Sequence, residues 1–127
     1  MAKGDDIEER LIDFVVRVIN LCGHLPDTAA ARHVSGQLLR SGTAPAPHYS
    51  EARGAESSRD FIHKLGICLK ELNESCVWLR IIVKSQMLPA AGMQSILSEC
   101  QELCRIINSS IQTAKGNRRR PTSEIDN

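Results

Sequence analysis

The spacing of apolar residues constrains this chain more than any other feature. They recur at alternating steps of four and three along separate segments, and no stretch alternates with the period of two that a half-buried strand needs. From residue 7 the series is Ile7, Leu11, Phe14, Val18, Leu21 and Leu25. From residue 59 it is Phe61, Leu65, Cys68, Leu72, Ser75, Leu79 and Ile82. Met93, Ile96, Leu97, Cys100, Leu103, Cys104, Ile107 and Ile111 carry the same period, and Ala29, Val34, Leu38 and Leu39 form a shorter one. Each series paints a stripe along one face of an α-helix. The chain is therefore expected to be all-α, with helices over residues 7–24, 28–40, 59–84 and 89–115.

The helix ends have their own signals. Asp5, Asp6, Glu8 and Glu9 stand where the positive end of a helix dipole favours them. Gly23 and Pro26 close the first helix, and Asp27 or Thr28 can cap the second. Ser57-Ser58-Arg59-Asp60 has the capping-box pattern before an apolar run. Pro89 suits the first turn of the last helix. Gly42, Pro45 and Pro47 leave two options open: a loop, or a second helix kinked or broken near Pro45–Pro47. Residues 51–55 resume a helical pattern. The 127 residues suit one domain. We expect a single bundle over residues 1–115, antiparallel and up-down-up-down, with a disordered tail over residues 116–127 that has no apolar period.

Two segments are apolar beyond one stripe. Ile12, Val15, Val16, Ile19 and Cys22 widen the first, and Ile62, Leu69, Cys76 and Val83 form a second stripe on the third. A bundle helix buries a face of about 100°. The surplus predicts a second buried face against another subunit. On this reading Phe61 and Leu65 belong to the chain's own core, while Ile62, Leu69 and Cys76 meet a neighbour.

Charge and composition exclude several classes. Sixteen Lys and Arg against fifteen Asp and Glu leave a net charge of +1, unlike a basic nucleic-acid coat protein. Aromatics are 3%, too few for a base-stacking surface. The mixed charges of the first ten residues do not read as a signal peptide, and no apolar run is long enough to span a membrane. Five cysteines, an odd number without an export signal, fit free thiols in a reducing cytoplasm.

Specific residues then point to a family. Leu38-Leu39-Arg40-Ser41-Gly42-Thr43, His48-Tyr49-Ser50-Glu51-Ala52, Ala55-Glu56-Ser57-Ser58-Arg59-Asp60-Phe61-Ile62-His63-Lys64, Leu69-Lys70-Glu71 and Trp78-Leu79-Arg80 stand at fixed spacing. Together they resemble the bacterial four-helix bundle protein family, also called the 23S rRNA intervening-sequence protein family. The resemblance implies a left-handed antiparallel bundle assembled as a homopentamer, with no established activity in most members. A related group serves as accessory proteins of diversity-generating retroelements, where a basic pentamer is implicated in binding reverse transcriptase and nucleic acid. The family's usual Ser-Ile-x-x-Asn segment is Ala44-Pro45-Ala46-Pro47-His48 here, with histidine for asparagine. The family's recurring charged positions fall on Arg40, Glu51, Asp60, Lys64 and Glu71, read as a structural polar network.

The remaining constellations are weak. His48 with Glu51, and Asp60 with His63, stand three apart, but a bundle di-iron site needs two Glu-x-x-His pairs and further glutamates. Cys100 and Cys104 are one turn apart, and zinc there would need further ligands at a matching height; they read as small buried hydrophobes, as do Cys68 and Cys76. No phosphate-cradling glycine loop is present. The sequence thus predicts no catalytic residues, no cofactor and no metal. Lys115, Arg118, Arg119 and Arg120 form the one basic cluster, a candidate for salt-dependent contact with RNA or DNA when multiplied in an oligomer. The expectation is a cytoplasmic, non-enzymatic homo-oligomeric scaffold, with self as partner and no membrane or small-molecule substrate. The alternative is a nucleic-acid-binding accessory protein that also uses Arg32 and Arg53.

Overall fold

The computed structural model describes residues 2–119. Its helices are α1 (Asp5–Cys22), α2 (Ala29–Thr43), α3 (Pro45–Arg53), α4 (Ser58–Lys84) and α5 (Gln94–Arg119), with a 3-10 turn at Ala90–Gly92. Among the described residues there is no strand. α2 and α3 are halves of one broken rod, so four rods make a helical bundle. α1 and α4 both pack on α2, α3 and α5, which makes α1 and α4 the diagonal pair.

The second rod breaks for a covalent reason. Proline has no N–H, so Pro45 and Pro47 cannot bond to the carbonyls four residues back. Ala44 sits at the break in a right-handed helical conformation (φ −77°, ψ −35°), and the His48 N–H resumes the ladder on the Ala44 carbonyl at 3.1 Å. The segment is a broken helix, not a loop, because Pro45 takes the first position of α3, where no N–H is needed.

Other ends follow local chemistry. Thr28 Oγ1 accepts the Ala31 N–H at 3.1 Å, and Ser57 Oγ accepts the Asp60 N–H at 3.0 Å. α4 closes in a Schellman motif. There the Met87 N–H reaches the Ile82 carbonyl at 3.2 Å and the Gln86 N–H that of Val83 at 3.1 Å. Gln86 holds the left-handed position of that motif, at φ 60°, where glycine is the usual residue. Pro89 does not open the last helix. It precedes the 3-10 turn, and buried Met93 leads into α5 at Gln94. α5 also runs through Gly116 to Arg119, past the expected start of the tail at residue 116. One exposed glycine weakens a helix by only about 1 kcal/mol. Residues 120–127 of the expected disordered tail lie outside the described residues.

The core is the set of inward stripes. Leu11, Phe14 and Val18 of α1 meet Val34 and Leu38 of α2, Tyr49 of α3, Leu65, Leu72, Leu79 and Ile82 of α4, and Ile96, Leu103 and Ile107 of α5. Phe61 departs from expectation: it is half-buried against this core, at the edge of a groove. Gly42 lets α2 approach α1 closely, because a Cβ there would lie 2.8 Å from Val18 Cγ1. Beside it, the buried hydroxyls of Ser41 and Ser75 share a hydrogen bond at 2.9 Å that ties α2 to α4.

Candidate interaction surface

Helical periodicity brings Ile12, Val16 and Ile19 into line on the outer face of α1. They are 40%, 49% and 51% exposed, whereas their neighbours Leu11, Phe14 and Val18 are fully buried. On α4, Val77 and Ile81 form a second outward pair, 50% and 36% exposed. These five are the exposed large apolar side chains among the described residues. The two stripes ride on the diagonal helices, so they lie on different sides of the bundle. Ile62, Leu69 and Cys76 are placed differently: each is half-buried and packs against the chain's own core. The outward residues on α4 lie one step further round the helix, and periodicity alone did not separate the two positions.

The charged positions divide into separate groups. Arg40 of α2 reaches across to α4, to Glu71 at 3.2 Å and to Glu74. Glu74 also accepts from Trp78 Nε1 at 3.0 Å, and the Trp78 ring meets His33 edge-on at 6.1 Å. Glu51 of α3 lies 3.8 Å from Lys64 Nζ and 3.6 Å from His48 Nδ1. Asp60 joins neither group; Lys64 turns to Glu51 rather than to Asp60, and among the described residues Asp60 makes no ion pair. Four of the five residues therefore form two struts along the seam between the broken rod and α4, and Asp60 stands apart. Half-exposed struts of this kind contribute up to about 1 kcal/mol each.

A third strut was hidden by sequence distance. Arg53 at the end of α3 bonds Asp5 at 2.8 Å and lies 3.4 Å from Glu8, holding the start of α1. The Arg53 hydrogen bond holds the Asp5 carboxyl below its usual range. Gly4 allows this close approach, since glycine adopts a positive φ without steric cost. Its φ is +93°, and a Cβ there would meet Tyr49 Oη at 2.9 Å and Arg53 Nε at 3.2 Å. Arg53 is thus engaged within the fold, and Arg32 pairs with Asp27 at 2.6 Å. Arg10 bonds Glu99 through Nη2 at 2.7 Å and through Nε at 3.2 Å, linking α1 to α5. Two-pronged pairing of this kind fixes geometry as well as charge. Of the basic cluster, Lys115 is half-buried on α5, the α5 backbone continues through Arg118 and Arg119, and Arg120 lies outside the described residues.

A groove of about 800 Å³ runs between the start of α1 and the later turns of α5, lined by Lys3, Tyr49, Phe61, Arg105, Ser109 and Thr113 among others. Its lining mixes apolar and hydroxyl groups with the charged Lys3, Glu102 and Arg105, of which Glu102 and Arg105 pair with each other at 3.0 Å.

The cysteines do not all behave alike. Cys68 is buried and donates to the Pro45 carbonyl at 3.4 Å; burial pushes its thiol up to about 12. Cys22 packs near the Ser35 carbonyl at 3.8 Å. Cys76 of α4 meets the Cys100–Cys104 pair of α5: its sulfur is 2.7 Å from that of Cys100 and 3.9 Å from that of Cys104. The third thiol at matching height exists, and the register between α4 and α5 supplies it. His48, Glu51, Asp60 and His63 do not converge into a comparable group.

Comparisons agree with this architecture. The 23S rRNA-intervening sequence protein family model matches residues 5–109. A protein of unknown function from the S23 ribosomal protein family of Bacteroides thetaiotaomicron has a similar crystal structure, with a TM-score of 0.78 and 33% identity. The match covers 83% of this chain and 97% of that one. No curated protein matches this chain. Among the described residues, no helix is long and apolar enough to cross a membrane.

Proposed function

The chain belongs to the 23S rRNA-intervening sequence protein family, and from that premise we propose that it is a non-enzymatic scaffold, a left-handed up-down-up-down bundle that closes into a homopentameric ring. The observation that carries the reading is the pair of outward apolar stripes on diagonal helices, Ile12-Val16-Ile19 on α1 and Val77-Ile81 on α4. Two unlike patches on different sides of one subunit favour a head-to-tail contact. Such contacts make closed rings when the rotation closes, whereas a two-fold dimer uses one self-complementary patch.

Magnitudes support closure over a lone pair. Each of the five side chains is already about half covered, so hiding the rest contributes about 1 kcal/mol each. One such contact yields about 5 kcal/mol, near the lower end of the roughly 4–15 kcal/mol cost of association. In a ring every subunit makes two contacts, and the last closing step is intramolecular. The struts of Arg40, Glu71, Glu51 and Lys64 stiffen the seam between the broken rod and α4.

Size-exclusion light scattering on untagged protein, with absorbance at 260 and 280 nm, tests the reading. A peak at five times the 14.0 kDa chain mass, with a protein spectrum, is the expected result. A 14.0 kDa peak contradicts the ring. With one Trp and one Tyr per chain, bound nucleic acid would dominate the spectrum, and excess 260 nm absorbance would replace the scaffold reading with a nucleic-acid-binding one.

A further inference from the structure

We infer that Cys76, Cys100 and Cys104 form a three-thiolate site for one soft metal ion of low coordination number, of the Cu(I) type. The three sulfurs come from two helices and lie within 4.8 Å of one another. Among the described residues, no His, Asp or Glu joins the group. An all-sulfur donor set selects soft ions over magnesium, calcium or manganese. Three donors without a fourth fit a three-coordinate ion better than zinc, whose structural sites take four protein ligands.

The geometry is close to what such an ion needs. At a metal–sulfur distance of about 2.3 Å, three sulfurs in a plane around one ion stand roughly 4 Å apart. Cys76 and Cys104 are already 3.9 Å apart. Cys76 and Cys100, at 2.7 Å, must open; of the two, Cys100 is buried and Cys76 half-buried. A single ion engages all three sulfurs, whereas a disulfide would join two and leave the third unpaired.

The ligand form of cysteine is the thiolate, so binding an ion displaces the thiol protons. Three S–H protons leave, and three thiolates with one monovalent ion carry a net charge of −2. Arg80, one turn after Cys76, and Arg105, next to Cys104, both act on the cluster as positive charges. Cys100 is buried and its thiol contacts the Leu72 carbonyl at 3.3 Å, so the ion would pin α4 to α5 from inside the seam.

The test is an anaerobic titration of the reduced full-length protein with Cu(I) delivered from a chromophoric chelator. Uptake of one equivalent with a sulfur-to-copper charge-transfer band in the near ultraviolet is expected. Cys76→Ser, Cys100→Ser and Cys104→Ser should each weaken uptake at least tenfold, with Cys22→Ser unchanged. Cys76→Ser binding as tightly as the parent overturns the site, as does failure of the parent to take copper. Helical circular dichroism identifies any variant that does not fold. For that case, X-ray absorption on the parent complex counts the sulfur neighbours: three support the site, two overturn it.

Discussion

The inner and outer faces of α1 carry the same kind of residue with opposite fates. Leu11, Phe14 and Val18 are fully buried, while Ile12, Val16 and Ile19, one or two positions away, stand about half in solvent. Hydrophobicity marks a face that needs a partner; it does not say whether the partner lies in the same chain. The inner face owes its burial to α2, α3 and α5. The outer face has no such neighbour within the subunit, and the proposed ring supplies one.

The largest expected effect comes from breaking the inner face. Phe14→Ala should cost about 3–5 kcal/mol of subunit stability, read from urea denaturation. Val16→Ala on the outer face should change the stability of the isolated subunit by less than about 0.5 kcal/mol in the same assay, sharpening the contrast. A smaller loss is expected where the inner face of α1 meets α2. Gly42→Ala sets a methyl 2.8 Å from Val18 Cγ1 in a filled core. Overpacking of this kind should cost about 1–3 kcal/mol of thermal or chemical stability.

Two smaller effects lie away from both faces. Gln86 holds a left-handed position at φ 60°. Gln86→Gly should therefore stabilise the subunit by about 0.5–1 kcal/mol in urea denaturation. Arg53→Ala should alter the acid limb of a stability–pH curve. Asp5 is held below its ordinary value of 3.8 by the Arg53 hydrogen bond. The parent therefore has that contribution in full above the ordinary value and loses it as pH falls through the lowered one. The variant should lack this step, and an unchanged acid limb in thermal melts contradicts the strut.

Much of the fold was legible because it is periodic. The stripes gave four helical rods, and the capping box at Ser57 gave one start; Asp27 or Thr28 marked another, and the prolines left a loop and a broken helix open until the structure showed the break. The start of α5 was misplaced because Pro89 fits a 3-10 turn as well as a first helical turn. Of the surplus apolar residues of α1, Ile12, Val16 and Ile19 face outward, while Val15 and Cys22 are half-buried against the chain's own core. On α4 the outward pair proved to be Val77 and Ile81. A one-residue difference in register turns a side chain about 100° around the helix. Contacts between rods were least legible. Arg53 finds Asp5 across 48 residues, and Cys76 meets Cys100 only through the register of α4 on α5. No local spacing encodes either.

The most direct measurement of the central claim is the solution mass of Val16→Glu beside the parent, with helical content recorded for both. The expected masses are five times 14.0 kDa for the parent and 14.0 kDa for the variant, at equal helicity. A variant that keeps the parent's mass while folded contradicts the assignment of the outer face of α1 as the contact that builds the ring.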